Sequence, residues 1–377
     1  MRINKPNVAI ILFPWASKAP YNFVNDILKI LDPISNELFV ISGNTKRING
    51  DIGSVKILDT KLTVHYAKDK RPLFFSYVLW LVKCIIIQFI ITFRLITVSK
   101  DVDAIIYMAY PFHFMPLITG KLMGKRNIDY LNRFPNQNFI YKFLDNLNFR
   151  LMDVISPQSS SLLSEKNFKK YHCKISAECS RFVEYDKNDI LDIKERDNVV
   201  GFIGRIKKEK GIVEFINSIP LILAKNPDVK FLIAGDGDLV NWVETEISKL
   251  IKECDAQIKF VGWIPRSEIL DVLRSLKMLV MPTYTEGLPT IMLESMAVGT
   301  PVLSTPVGGV PDVIKDNHTG FIINDLSPEC LANDIINVLN FQNLDKIVIN
   351  QTEIIEKKFS YEAALKRWEL ILNHEKV

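Results

Sequence analysis

Residues 278–299 read MLVMPTYTEGLPTIMLESMAVG. Met278–Met281 is a short apolar run with strand character. The stretch from Tyr284 to Gly287 is polar, and Gly287 permits a backbone angle or a close ligand approach that a Cβ would forbid. Pro289 suits the first turn of a helix, Ile291–Ala297 continues it, and Gly299 stops it. Strand, loop and helix in this order form the repeating unit of a doubly wound sheet. The free N–H groups at such a helix start, aided by the helix dipole, favour an anion such as a diphosphate. Glu286 precedes the helix and Glu294 lies about one turn inside it, so both can face one ligand. Read alone, the stretch is equally a capped helix with two surface glutamates.

The same grammar extends on both sides. Val199–Ile203, Lys230–Ala234, Ile258–Val261, Val302–Ser304 and Phe321–Ile323 read as strands, with helices such as Gly211–Ala224 and Ile269–Leu276 between them. After Val199–Ile203 comes Gly204-Arg205-Ile206-Lys207-Lys208-Glu209-Lys210-Gly211. Gly204 leaves room for close approach, and Arg205 and Lys210 supply cations suited to phosphate oxygens. The spacing is not that of a P-loop, which argues against an ATPase. In the first half, Val8–Phe13, Leu38–Ser42, Ser54–Leu58 and Ala104–Met108 read as strands and Phe23–Leu31 as a helix. The polar stretch Glu184–Asp197 reads as a linker. The fold expected is α/β, two doubly wound Rossmann-like domains facing a cleft, with ligands at the carboxyl ends of the strands.

Leu73–Val98 stands apart as a long apolar segment. At 100° per residue, Ser76, Lys83 and Arg94 fall within about 20° of one another, a thin polar stripe on a broad apolar body. A charge near the middle of a span costs about 2.5–3.5 kcal/mol. The segment therefore reads as a buried or membrane-contacting helix ahead of a span or two shorter helices. Lys68, Lys70, Arg71 and Lys100 flank it, which favours an anionic surface. Residues 1–180 carry 24 Lys/Arg against 13 Asp/Glu, and residues 181–377 carry 23 against 30, so the net +4 hides a basic and an acidic half. Five cysteines without C-x-x-C spacing argue against a disulfide framework or zinc site and fit a reducing cytoplasm. The apolar run Val8–Phe13 is too short for a signal peptide. Asp101-Val102-Asp103 and Asp236-Gly237-Asp238 are two carboxylates each, too few for an octahedral metal site. A missing G-x-G-x-x-G after the first strand argues against a dinucleotide oxidoreductase.

The order G-R-x4-K-G (204–211), A-G-D-G (234–237), F-V-G-W (260–263), Glu286-x7-Glu294, T-P-V-G-G-V-P-D (305–312) and Thr319-Gly320-Phe321 resembles the carboxyl-terminal domain of family-4 retaining glycosyltransferases, of the group 1 type with the GT-B fold. The likeness runs from about residue 198 to 325, and Phe359-Ser360-Tyr361-Glu362 resembles the family's final helix. It implies an acceptor-side domain over 1–183, a linker over 184–197, a nucleotide-sugar domain over 198–358 and a helix, 359–377, crossing back to the first domain. It implies that Arg205 and Lys210 hold the donor diphosphate and stabilise the leaving nucleotide. Glu286 would contact the donor sugar and Glu294 the ribose. Gly204 and the backbone of Gly287, Leu288, Pro289 and Thr290 would lie near sugar and phosphate, with Trp263 and Ile264 lining the base pocket. His113 would help position sugar or acceptor. The implied reaction is metal-independent sugar transfer with retention from a UDP- or GDP-sugar, without a further cofactor. The implied acceptor is a glycan or lipid-linked molecule in bacterial surface polysaccharide synthesis. The expected setting is the cytoplasm, with peripheral contact to an anionic membrane and no nucleic-acid partner. The loop Phe13–Lys18 lacks the Gly-Gly of many relatives, which puts its donor contacts in doubt. A non-catalytic partner of the same fold, or a nucleotide-sugar epimerase, are the alternatives. The first should have lost the cations or glutamates, and the second needs acid–base residues in the cleft.

Overall fold

The structure, a computed structural model, describes residues 5–12, 19–43, 48, 55–62, 74–108, 113–131, 139–163, 169–176, 178, 182–186 and 190–373. The chain divides into two compact units, Met1–Phe182 with Ala364–Val377, and Val183–Ala363. Residues 13–18, Lys68, Lys70, Arg71 and residues 109–112 lie outside the described residues.

The first unit is built on a parallel sheet of β1 (Val8–Leu12), β2 (Leu38–Ser42), β3 (Val55–Asp59), β4 (Ala104–Met108), β5 (Arg126–Leu131) and β6 (Val154–Pro157). Its order is β3-β2-β1-β4-β5-β6. Helices α1 (Ala19–Leu31), α2 (Phe74–Val98), α3 (Phe114–Leu122) and α4 (Phe139–Leu151) make the crossovers. β1 is buried along its whole length, as an unbroken VAIIL run requires when both sheet faces are covered. β5 and β6 escape the sequence reading. β5 carries polar side chains, yet Asn127 is fully buried because its partners are built in. Its amide donates to Leu117 O at 3.2 Å, its Oδ1 accepts from Tyr107 OH at 3.1 Å, and its backbone N–H donates to Asp153 at 3.0 Å. A polar strand residue satisfied in this way costs little when buried.

α2 is one continuous helix, and its Cys84, Ile87, Ile91, Leu95 and Val98 lie in the core against the sheet. A helix that buries one face this way is a crossover of the fold. Among the described residues no helix is long and apolar enough to cross a membrane.

The second unit repeats the plan with β7 (Val199–Ile203), β8 (Lys230–Ala234), β9 (Ile258–Phe260), β10 (Met278–Met281), β11 (Val302–Ser304) and β12 (Phe321–Ile322), in the order β12-β11-β10-β7-β8-β9. α5 (Ile212–Leu223), α6 (Val240–Cys254), α7 (Ile269–Arg274), α8 (Thr290–Ala297), α9 (Val310–Val313), α10 (Pro328–Leu339) and α11 (Leu344–Ile354) cover it. In both units the strand order is 3-2-1-4-5-6, so the direction of winding reverses between β1 and β4 and between β7 and β10. The polar stretch expected as a linker holds two anchors to this unit. Ile193 joins its core, and the buried guanidinium of Arg196 donates to Leu276 O at 3.1 Å, Val298 O at 2.9 Å and Thr300 Oγ1 at 2.5 Å. Polarity alone hides such docking, because Arg196 is held by carbonyl and hydroxyl oxygens.

α12 (Tyr361–Asn373) begins at the end of the second unit, and its residues from Ala364 on count with the first. Trp368, fully buried, stacks on Tyr130 of β5 with centroids 6.2 Å apart and planes 7° from parallel. Arg126 donates to the Leu372 carbonyl. Removing a buried aromatic of this size costs about 3–5 kcal/mol. Trp368→Ala should lower the unfolding free energy of the first unit by that amount in a urea titration, with the second unit's transition unmoved.

Candidate active site

In the second unit the site residues gather at the carboxyl ends of β7 and β10, where the winding reverses. That is the crevice in which doubly wound sheets bind ligands. β7 continues through Gly204, whose N–H donates to Ala234 O at 3.0 Å. A Cβ at Gly204 would meet nothing within 4 Å, so the space in front of it is open. The chain then makes a tight turn over Lys208–Lys210 and enters α5 through Gly211. Gly211 has φ +73°, and a Cβ there would lie 1.9 Å from Pro282 O. Only glycine allows this turn to lie against the segment after β10.

Four hydrogen bonds fasten the two loops. Glu209 O accepts from Tyr284 N at 3.0 Å and from Thr283 Oγ1 at 3.2 Å, and Lys210 Nζ reaches Glu286 Oε1 at 2.5 Å. Lys210 also contacts Thr285 O at 3.4 Å. The Lys210 and Glu286 side chains are about 85% buried, so the pair is a largely desolvated one, costly to break from one side only. Arg205 differs. It is 61% exposed and pairs with Glu209 at 2.9 Å across four residues. Such a surface pair is worth about 0–1 kcal/mol and is readily exchanged for a stronger anion.

The loop after β11 closes the site from the other side. Thr305 Oγ1 donates to Thr283 O, and Gly309 N donates to Gly287 O at 2.5 Å. Gly308, at φ +60°, leaves no room for a side chain, because its Cβ would lie 2.2 Å from Glu286 O. Leu288 and Pro289 are buried beneath this contact, and Pro289 is the N-cap of α8 with extended backbone, one position earlier than the first turn expected for it. Thr290 begins α8, and Glu294 lies one turn in, half-buried.

The loops after β8 and β9 extend the same edge. Ile206 N donates to Asp236 O at 2.9 Å, and Gly235 N donates to Gly262 O at 2.7 Å. This places Trp263, 70% exposed, and Ile264 beside the loop after β8. β9 is two strands from β7, about 10 Å along the sheet edge. Three of the four carboxylates in the two Asp-x-Asp sequences are engaged: Asp238 pairs with Lys207 at 3.1 Å, Asp236 accepts from Gly237 N, and Asp103 accepts from Asn7 N. Among the described residues no group of three or more His, Cys, Asp or Glu could hold a metal ion. A cavity of about 730 Å³ opens at the opposite edge of this sheet, lined by Asp192, Arg196, Lys230, Lys259 and Arg274. It is at the amino ends of the strands and shares no residue with the site.

In the first unit His113 is the N-cap of α3, just past β4, and is 4% exposed. Its Nε2 lies 3.0 Å from Met108 O. A carbonyl only accepts, so Nε2 carries the proton. Burial pushes the imidazole down to about 4, against a smaller upward pull from the Met108 hydrogen bond. His113 is thus a neutral donor that ties the start of α3 to the end of β4.

Sequence reading gave no role of their own to Glu209, Thr305 and Gly308, which stand in the motifs it quotes, nor to Thr283; all four hold the named residues in place. Glu209 was open to detection, since it stands four residues from Arg205 with opposite charge. The threonines bond across more than 20 residues and leave no local signature.

Residues 185–354 match the family described as Glycosyl transferases group 1. A capsular polysaccharide biosynthesis glycosyltransferase, CapM of Staphylococcus aureus, is 29% identical over 176 residues, 46% of each chain. A Campylobacter jejuni alpha-1,4-N-acetyl-D-galactosaminyltransferase, named for a glycan on PP-undecaprenol, is 28% identical over 235 residues, 61% of this chain and 62% of the relative. The matches therefore span roughly half to three fifths of these relatives. The solved structure of Anabaena HepE with UDP and glucose superposes with a TM-score of 0.69 at 14% identity, covering 98% of this chain and 99% of that one. The fold is GT-B, with two Rossmann-like domains, and the second unit is similar to the glycosyl transferases group 1 family over residues 185–354.

The site's construction can be probed at two positions. Gly211→Ala should destabilise the second unit by more than about 1 kcal/mol in denaturant titration, because the left-handed turn and the Pro282 contact both exclude a Cβ. For His113, the folded value of about 4 lies below the ordinary 6.5, so the unfolded chain binds more protons between them. Stability should fall as pH drops through that window, by up to about 3 kcal/mol. His113→Gln should remove that part of the pH dependence, measured as the difference between the two proteins' unfolding free energies at pH 7 and pH 4.

Proposed function

We propose that this protein transfers a sugar from a UDP- or GDP-sugar to a glycan or lipid-linked acceptor, with retention of anomeric configuration and without a metal or other cofactor. The observation that carries the reading is the convergence of Arg205, Lys210 and Glu286 at the winding reversal of the second unit. An open backbone at Gly204 lies beside the two cations. Lys210 has three donors, two of which meet Glu286 and Thr285, which leaves a third for a phosphate oxygen. Arg205 swings from Glu209 to the diphosphate at little cost. Together they offset the negative charge that grows on the departing nucleotide, the kind of electrostatic stabilisation that often dominates catalysis.

Glu286, fixed by Lys210, accepts a hydroxyl of the donor sugar. Glu294 accepts from the ribose, and the backbone of Gly287, Leu288, Pro289 and Thr290 lies along sugar and phosphate. Trp263 and Ile264 flank the base. The bond from the anomeric carbon to the diphosphate breaks as the acceptor oxygen arrives on the same face. The acceptor's proton passes to the departing phosphate oxygen, so no protein nucleophile is needed. His113, buried and neutral at the start of α3, would help position sugar or acceptor. The names of CapM and of the Campylobacter relative support a role in surface polysaccharide synthesis and an acceptor on a lipid carrier. HepE, which shares the fold, holds UDP and glucose in its crystal structure, and this supports UDP as the nucleotide. Such an enzyme would work in the cytoplasm, against the inner face of the membrane.

The test is donor turnover on a panel of UDP- and GDP-sugars with product mass and anomeric configuration read out. Added sugar mass with retention is expected. An isomerised donor would indicate an epimerase, and no nucleotide binding a non-catalytic protein. Arg205→Ala and Lys210→Ala should each lower turnover about 100- to 1000-fold. Wild-type rates in both would remove the leaving-group role.

A further inference from the structure

We propose that the outward face of α2 docks on the surface of an anionic lipid bilayer. The inference deepens the reading of a lipid-linked acceptor, on which it rests. Leu79, Val82, Ile86, Phe89, Phe93 and Ile96 recur at steps of three and four residues and are each between 46% and 64% exposed. They form one apolar stripe, about 26 Å long, on the side of the helix away from the buried Cys84, Ile87, Ile91 and Leu95. Soluble proteins seldom leave so continuous a patch uncovered, and such patches mark protein or membrane contacts.

Charge decides between the occupants. From Phe74 to Lys100 the sequence has no Asp or Glu. At 100° per residue the exposed stripe spans about 100° of the helix, and Lys83 and Arg94 lie within about 60° beyond one margin of it, between the exposed and buried faces. There their stems can lie along apolar surface while the charged ends reach phosphate groups. Lys100 stands exposed just past the helix end. Apolar side chains with phenylalanine, edged by cations and free of acids, match a helix lying in the plane of a membrane interface. A second copy of the chain is a poorer fit. A stripe about 26 Å by 10 Å offers roughly 260 Å², against about 800 Å² per partner in stable complexes. It would also bring like charges together.

The test uses the full chain, with no donor and no acceptor present, and floated vesicles of phosphatidylcholine alone or of three parts phosphatidylcholine to one part phosphatidylglycerol. The protein should float with the anionic vesicles at low salt and be released as salt rises. Phe89→Ser with Phe93→Ser should weaken this partitioning at least tenfold, and Lys83→Glu should weaken it severalfold. Circular dichroism melts check that each variant folds, and Ile86→Asn serves as a second apolar variant. Equal binding by wild type and the apolar variants, equal binding to both vesicle types, or a solution dimer that the apolar variants dissociate would each overturn the proposal. Failure here leaves sugar transfer to a detergent-dispersed acceptor intact. Absence of that transfer, with vesicle binding retained, would overturn the enzymatic reading instead.

Discussion

The backbone of Gly211 runs so close to Pro282 that a single added carbon would sit 1.9 Å from its carbonyl oxygen. The site depends on this contact. It brings the turn that carries Arg205 and Lys210 against the segment that carries Glu286, and it sets the 2.5 Å span between Lys210 and Glu286. Gly308 repeats the device on the far side, against Glu286 O. Two glycine contacts thus clamp one loop between two others. The charged residues are spread over more than 80 positions of sequence, and the backbone clamps are what make them one site.

The two cations are held with unequal strength, and the difference has a mechanical meaning. Lys210 shares a largely buried pair with Glu286, so neither partner moves far without leaving a charge uncompensated. Arg205 sits in water with Glu209 and exchanges partners cheaply. A fixed cation defines where an anion settles, and a mobile one completes its neutralisation. Both properties come from burial, which loop geometry sets, and the side-chain types alone would not distinguish them.

Much of this was legible in the sequence, and the exceptions share a cause. Strands such as Leu38–Ser42, Ala104–Met108 and Met278–Met281 are read correctly because burial on both faces favours near-continuous apolar runs. β5 is missed because Asn127 is buried with its hydrogen bonds met by Tyr107 and Leu117, which are distant in sequence. The anchoring of Ile193 and Arg196 is missed for the same reason, since the oxygens that hold Arg196 come from Leu276, Val298 and Thr300. At the site, charges and glycines announce themselves in short motifs. The threonines and carbonyls that position them do not, because their bonds cross between strand ends.

α2 shows how a structure divides what a hydropathy pattern leaves whole. Along Phe74–Val98 the sequence is apolar nearly all round, so periodicity alone cannot say which residues fill the core. The fold assigns Cys84, Ile87, Ile91 and Leu95 to the sheet, and this leaves Leu79, Val82, Ile86, Phe89, Phe93 and Ile96 outside. The polar stripe noticed in the sequence then acquires a position. Lys83 and Arg94 mark the line where the buried face ends and the exposed one begins. A core crossover helix needs only the first face to be apolar, and surface helices ordinarily carry charges on the second. The outer face is therefore not accounted for by folding of the first unit, and its composition has to answer to something outside it.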